Sequence, residues 1–190
     1  MQLTGRAESS VRPAVPADAG DIARVQRIAW RTAYLALLPA AVLDDWDDDA
    51  VTAGWASSLT GPPTPAHGVL VAQEAGTTVG FLAYGPPEVT AEDPASPEGP
   101  SAEVTALLVE PRWGRRGHGS RLVAAAVDLL GPTGVRRLQM WVPREDPVTS
   151  GFLESAGWAP DGWSRTLDAG TTTIHEHRWH VLLGDDEGPG

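Results

Sequence analysis

The chain has 190 residues, 42% of them apolar, and a net charge of −11 at pH 7. That length supports one domain with a full core and falls short of two ordinary ones. No apolar run approaches the roughly 20 residues a membrane-spanning helix needs, so a membrane partner is not expected. Cysteine is absent, which excludes disulfides, thiolate nucleophiles and thiolate metal sites together. The acidic balance disfavours nucleic acid as a partner and favours the approach of cations. Residues 1–13 contain neither an apolar h-region nor a cleavage-site pattern, which points to a cytoplasmic protein.

In chain order, Val11 to Pro13 reads as a short strand, and Pro16-Ala17-Asp18 as a helix start with Asp18 and Asp21 at the positive end of the dipole. Ile22, Val25, Ala29, Ala33 and Leu37 then recur at helical spacing, and Pro39 closes the stripe. A second helix is expected from Ala40 to Ser58. The runs Gly68 to Gln73 and Thr78 to Tyr84 flank Glu74-Ala75-Gly76-Thr77, a hairpin pattern. Gly85 to Pro100 holds five prolines and no periodicity, as an exposed loop would.

Glu103 to Val109 reads as a strand and Gly114 to Leu130 as a helix, with a glycine-rich turn between them. Arg136 to Val142 alternates like a half-buried strand. Asp146 caps a short helix opened by Pro147 and ended by Gly157. Two more strands, about Trp158 to Leu167 and Thr171 to Leu182, precede a glycine-rich acidic tail. The order predicts a mixed α/β fold around one sheet.

The stretch from Ala106 to Leu122 carries the chemistry. An apolar strand enters a turn where Gly117 and Gly119 lack side chains, just where the first amides of a helix are unpaired. With Arg115 and Arg116 alongside, those amides can hold a pyrophosphate. The spacing is neither the dinucleotide fingerprint nor a Walker loop. The run Gly114-Arg115-Arg116-Gly117-His118-Gly119 resembles the acetyl-coenzyme A motif of the GCN5-related N-acetyltransferases, usually Gln/Arg-x-x-Gly-x-Gly/Ala, with Gly114 departing at the first position. Two further segments are similar to the same family: the opening Val11-Arg12-Pro13-Ala14 with Pro16 to Ala19, Trp30-Arg31 and Leu37-Leu38-Pro39, and the later Phe152-Leu153-Glu154-Ser155-Ala156-Gly157-Trp158.

The resemblance implies a GNAT-like α/β domain over 11–182, with flexible tails at 1–10 and 183–190. Its twisted sheet of about seven strands, flanked by about four helices, is splayed between the fourth and fifth strands around the acyl-coenzyme A site. It further implies that the backbone of Leu107, Leu108 and Val109 pairs with the pantetheine of acetyl-CoA. Arg115, Arg116, Gly117, His118, Gly119 and Ser120 hold the pyrophosphate, and Asp146 stands where relatives contact the cofactor arm, although capping explains it equally.

The implied activity is acetyl transfer from acetyl-CoA, as co-substrate, to a primary amine of a small molecule or peptide by direct attack in a ternary complex. Such an amine, if cationic, suits the acidic chain. Glu103, which alternation places on one face with Thr105, Leu107 and Val109, is the base candidate. The position where relatives carry a proton-donating Tyr is Leu153, so no acid is carried over, and an acyl-CoA sensor on the same fold stays as the alternative. His118 is expected to be exposed, with its amide mattering more than its ring. His175 and His177 share a face while His180 does not, which argues against a metal site. The Asp44 to Asp49 run reads as a solvated helix face, and Trp30, Trp46 and Trp55 fit either an acceptor pocket or the core. A homodimer stays open.

Overall fold

A computed structural model describes residues 9–33, 44–89, 96, 98–168 and 172–184. The expectations resting on Leu37 to Pro39 and on the tail 185–190 lie outside them. Among the described residues, no helix is long and apolar enough to cross a membrane.

Seven strands form one sheet: β1 (Ser9–Pro13), β2 (Gly68–Glu74), β3 (Thr77–Gly85), β4 (Ser101–Val109), β5 (Arg137–Pro143), β6 (Ala159–Asp168) and β7 (Thr173–Leu182). Their order is β1-β2-β3-β4-β5-β7-β6. Among the described residues four α-helices accompany them: α1 (Ala19–Ala33), α2 (Asp48–Thr60), α3 (His118–Leu130) and α4 (Pro147–Ser155). The mixed, splayed α/β sheet expected from the sequence is therefore present.

The two faces of the sheet bury different sets. Leu70, Ala72, Leu82, Val104, Leu138 and Val142 pack with Leu122, Val123 and Ala126 of α3. Val71 and Phe81 face Ile22 and Val25 of α1, with Trp55 of α2 edge-on to Phe81 at 5.2 Å between ring centres. Burying an aliphatic side chain of this size stabilises by about 1.5–3 kcal/mol. Two local devices make the strand packing possible. Ala75 (φ 49°) and Gly76 (φ 84°) form the left-handed pair a two-residue hairpin demands. At Gly80 a Cβ would lie 2.8 Å from the Leu108 carbonyl oxygen and 2.9 Å from Val109 Cγ2, so only glycine lets β3 and β4 approach this closely.

The amino-terminal entry is clamped by charge. Asp18, 7% exposed, accepts Arg12 Nη1 and Nη2 at 2.7 and 2.8 Å and the Val15 amide at 2.8 Å. The hydrogen bonds from Arg12 hold the Asp18 carboxyl below the usual carboxylate range, against the opposing effect of burial. In the acidic run, Asp47 caps α2 by accepting the amides of Asp49 and Ala50 at 3.0 Å, and Asp48 pairs with Arg27 at 2.9 Å.

Three expectations change. The helix after the glycine turn starts at His118, four residues later than expected, because Arg115 (φ 60°) and Gly117 (φ 79°) are left-handed and break helical progression. β5 is buried on both faces: Arg137 and Gln139, expected to face solvent, are 6% and 4% exposed. Each is matched by a partner, Arg137 by Asp161 and Gln139 by Glu103. A bulge also changes the parity of β4. Ala83 opposes Ala106 while Tyr84 opposes Val104, leaving Thr105 as the extra residue. Glu103 therefore shares its face with Ala106 and Leu108, on the α1 and α2 side, and not with Leu107 and Val109, which pack toward α3.

Candidate active site

Among the described residues β4 and β5 are the only parallel neighbours, and they pair over three residues: Ser101 with Arg137, Ala102 with Leu138, Glu103 with Gln139. Beyond these pairs the strands separate. The edge of β4 from Val104 to Val109 that faces the gap carries no strand among the described residues, while its other edge is paired to β3. Leu107, Leu108 and Val109 thus lie along an edge that no strand of the described residues covers.

At the far end of β4 the chain passes Glu110, a short 3-10 turn (Pro111–Trp113) and the glycine turn, then enters α3. The first intrahelical bond runs from the Arg121 amide to the Gly117 carbonyl at 3.0 Å. The amides of His118, Gly119 and Ser120 precede it and have no acceptor within the helix. Three donors and the positive end of a 13-residue helix meet at the open end of the gap.

The side chains here differ from expectation. His118 is 1% exposed and not a surface residue. It is buried because, as the first residue of α3, it turns back beneath the sheet, where its Nε2 lies 2.6 Å from Glu74 Oε2 and its ring is edge-on to Trp113. Glu74 also takes Arg116 Nη1 at 3.1 Å, and the Arg116 guanidinium lies 4.9 Å from the centre of the Trp113 ring. The charge of Arg116 is therefore shared with a carboxylate. Arg121, which the sequence did not single out, reaches back across the turn and donates to the Arg116 carbonyl at 2.9 Å. A Cβ at Gly119 would meet the Phe152 ring at 3.4 Å, so its open side faces α4.

Glu110, also unremarked, is fully buried; it accepts Arg24 of α1 and, at 2.7 Å, Arg112 Nε. Arg24 donates as well to the Thr78 carbonyl at 2.8 Å, which ties α1 to the sheet just below the turn. Asp146 is committed to its cap: Oδ1 accepts the Thr149 amide at 3.0 Å and Oδ2 the Thr149 hydroxyl at 2.6 Å.

At the fork Gln139 donates Nε2 to Glu103 Oε2 at 2.9 Å. Oε1 of Glu103 takes no hydrogen bond among the described residues. Leu153, the position that the resemblance matches to a proton-donating Tyr, is fully buried in the core. Register places His177 on the same face as Trp179, where its Nε2 accepts Arg144 Nε at 3.1 Å, while His180 lies on the other face and donates Nδ1–H to the Ala159 carbonyl at 3.1 Å.

Comparison with known proteins places this geometry. The family model described as Acetyltransferase (GNAT) family matches residues 23–158. The uncharacterized N-acetyltransferase YuaI of Bacillus subtilis (strain 168) is 30% identical over 139 residues, covering 73% of each chain. Two solved structures share the fold. One is the PaiA N-acetyltransferase of Thermoplasma acidophilum in complex with coenzyme A, with a TM-score of 0.63 and 18% identity over 88% of this chain and 97% of that one. The other is YncA, a putative acetyltransferase of Salmonella typhimurium, with its cofactor acetyl-CoA, with a TM-score of 0.63 and 16% identity over 96% and 98%. A family match that runs from α1 through the fork and the glycine turn to Trp158 makes this chain a member of the GNAT acetyltransferase family, and so an acyltransferase.

Proposed function

We propose that this protein moves an acetyl group from acetyl-CoA to a primary amine by direct attack within a ternary complex. The observation that supports the reading best is the fork beyond the three paired residues of β4 and β5. Among the described residues it leaves a free strand edge between an unpaired carboxylate oxygen at one end and three unpaired amides at the other. The donor set fits the cofactor, since an extended arm bearing amide groups can pair with a strand edge and a pyrophosphate with a helix start. Leu107, Leu108 and Val109 would hold the arm. The amides of His118, Gly119 and Ser120 would hold the pyrophosphate, with Arg115 adding charge and Arg116 adding less because of Glu74.

When bound, the cofactor supplies a thioester whose carbonyl carbon accepts the amine and whose sulfur leaves with the bonding electrons. A lysine-like amine, with pKa about 10.4, is almost wholly protonated at pH 7. Glu103 draws the ammonium to the fork, where one proton passes to water to give the neutral amine; its lone pair attacks the carbonyl carbon, and Glu103 takes the second proton from nitrogen as the C–N bond forms, when that nitrogen becomes far more acidic. Gln139 occupies Oε2 and so aims Oε1 at the gap. No residue is required to protonate the departing sulfur, because an alkyl thiol of pKa near 8.5 leaves tolerably as the thiolate near neutral pH. Leu153, sealed in the core, makes no contribution to that step.

Release of free thiol from acetyl-CoA in the presence of an amine panel tests the reading. Amine-dependent thiol release with a matching acetylated product is expected. Tight coenzyme A binding with no release for any primary amine would replace transfer by acyl-CoA sensing.

A further inference from the structure

Behind the fork lies a cavity of about 430 Å³, between the last turn of α2, the 61–67 loop, the start of β2 and the bulge of β4. Its size falls within the range of small-molecule sites. Trp55 and Leu59 of α2 form one wall, Pro62 and Pro63 another. None of its lining residues is Asp, Glu, Lys or Arg. Its hydroxyl- and imidazole-bearing lining residues are Ser58, Tyr84, Thr105 and His67. Burial pushes the Tyr84 phenol up, so it stays a neutral donor.

Register connects this cavity to the base. His67 occupies the space a side chain at Gly85 would fill: a Cβ there would lie 2.8 Å from His67 Nε2. Gly85 is the cross-strand partner of Glu103, and such pairs project to the same face with Cβ positions about 4.5–5.5 Å apart. His67 therefore stands one side chain from Glu103, on the α1 and α2 side of the sheet. Thr105, which also lines the cavity, lies between Glu103 and the free edge at Leu107 to Val109.

We propose that this cavity receives the body of the acceptor, and that the acceptor is a monoamine carrying an uncharged aromatic or aliphatic group, its nitrogen between Glu103 and His67. The proposal rests on the acetyl-transfer reading and narrows it. The chain's acidity draws in the single ammonium. A second positive charge would sit among Trp55, Leu59 and the two prolines with no counter-charge and would lose its hydration.

The test compares 2-phenylethylamine and hexylamine with 1,4-diaminobutane on the wild-type protein and on Ser58→Trp. Ser58 is exposed on α2 and lines the cavity, so the indole fills the space without disturbing the core. The wild type should favour the two apolar amines in kcat/KM by at least about tenfold, the selectivity a hydrophobic group of this size provides. Ser58→Trp, folded by circular dichroism, should lose most of that preference. Preference for the diamine, or an unchanged ratio in Ser58→Trp, would overturn the proposal. Saturation-transfer NMR of 2-phenylethylamine on coenzyme A-loaded protein separates the two readings. Signal that disappears in Ser58→Trp without any turnover supports the cavity and sinks the transfer, whereas turnover without such signal does the reverse.

Discussion

Beyond the C-terminal end of β4 the proposed anion-binding groups are three amides within consecutive residues, His118 to Ser120, whereas at its N-terminal half the polar groups come from separate segments. Glu103 belongs to β4, Gln139 to β5 and His67 to the loop before β2, and the notch for His67 belongs to Gly85 of β3. The first arrangement is local and is encoded by spacing. The second exists only through strand register, and one bulge residue, Thr105, decides which face its carboxylate uses. A cofactor common to a family suits a contiguous backbone cradle, while an acceptor site assembled from distant segments can vary without disturbing it.

The largest effect that separates the two ends is expected at Glu103. Glu103→Gln should lower turnover about 10²–10⁴-fold near pH 7 and regain part at higher pH, where more amine is neutral. Its affinity for coenzyme A, read by tryptophan fluorescence, should stay level. Equal loss of both would merge the two ends into one site.

The turn offers the opposite case. Gly117→Val forces a β-branched residue into the left-handed region at φ 79°, at a strain of about 1–3 kcal/mol. Misaimed amides should weaken coenzyme A binding by about tenfold, the equivalent of 1.4 kcal/mol. Gly119→Ala, whose methyl would rest at ordinary contact distance from Phe152, should bind nearly as the wild type does. If the alanine is the more damaging of the two, the turn grips its anion differently.

Gln139→Leu keeps the bulk of a buried strand residue and removes the hydrogen bond to Glu103. A fall in kcat of about fivefold to tenfold is expected from a lost charge-assisted hydrogen bond, with KM for acetyl-CoA unmoved. A change confined to thermal stability would make Gln139 a packing residue only.

The smallest effect should lie far from both ends. Asp18→Asn breaks the clamp with Arg12 and should cost about 1 kcal/mol, since Arg12 is partly solvated. Because the folded-state value of Asp18 is depressed, its contribution is present above the unfolded value of about 3.9 and is lost as pH falls through the folded one. Wild type and variant should therefore converge in stability below about pH 4. A constant gap would contradict the clamp.

The strand and helix order, the hairpin turn, the Asp146 cap and the glycine turn were legible because each follows from residues within a few positions of one another. The parity of Glu103 was not. Strict alternation over Glu103 to Val109 is the correct inference for an unbroken strand, and nothing in Val104-Thr105-Ala106 announces a bulge that arises from pairing with Ala83 and Tyr84. His118 resembled an exposed turn residue because Glu74, its partner, is 44 positions away at the end of β2. Gln139 was assigned to solvent for the same reason, since a parallel rung with Glu103 requires knowing which strands are neighbours. Glu110 and Arg24 left no local signal at all, although an acidic residue just before Pro111 and an arginine on a helix that is otherwise apolar on its inner side invite pairing once α1 is known to lie over β3.

The most direct measurement is a crystal structure of the protein grown with coenzyme A. The account predicts pyrophosphate oxygens within hydrogen-bonding distance of the His118, Gly119 and Ser120 amides, the arm paired along Leu107 to Val109, and the sulfur at the Thr105 bulge facing Glu103. A cofactor bound elsewhere, or a β4 and β5 zipped together past Glu103 and Gln139 with no room between them, would contradict it.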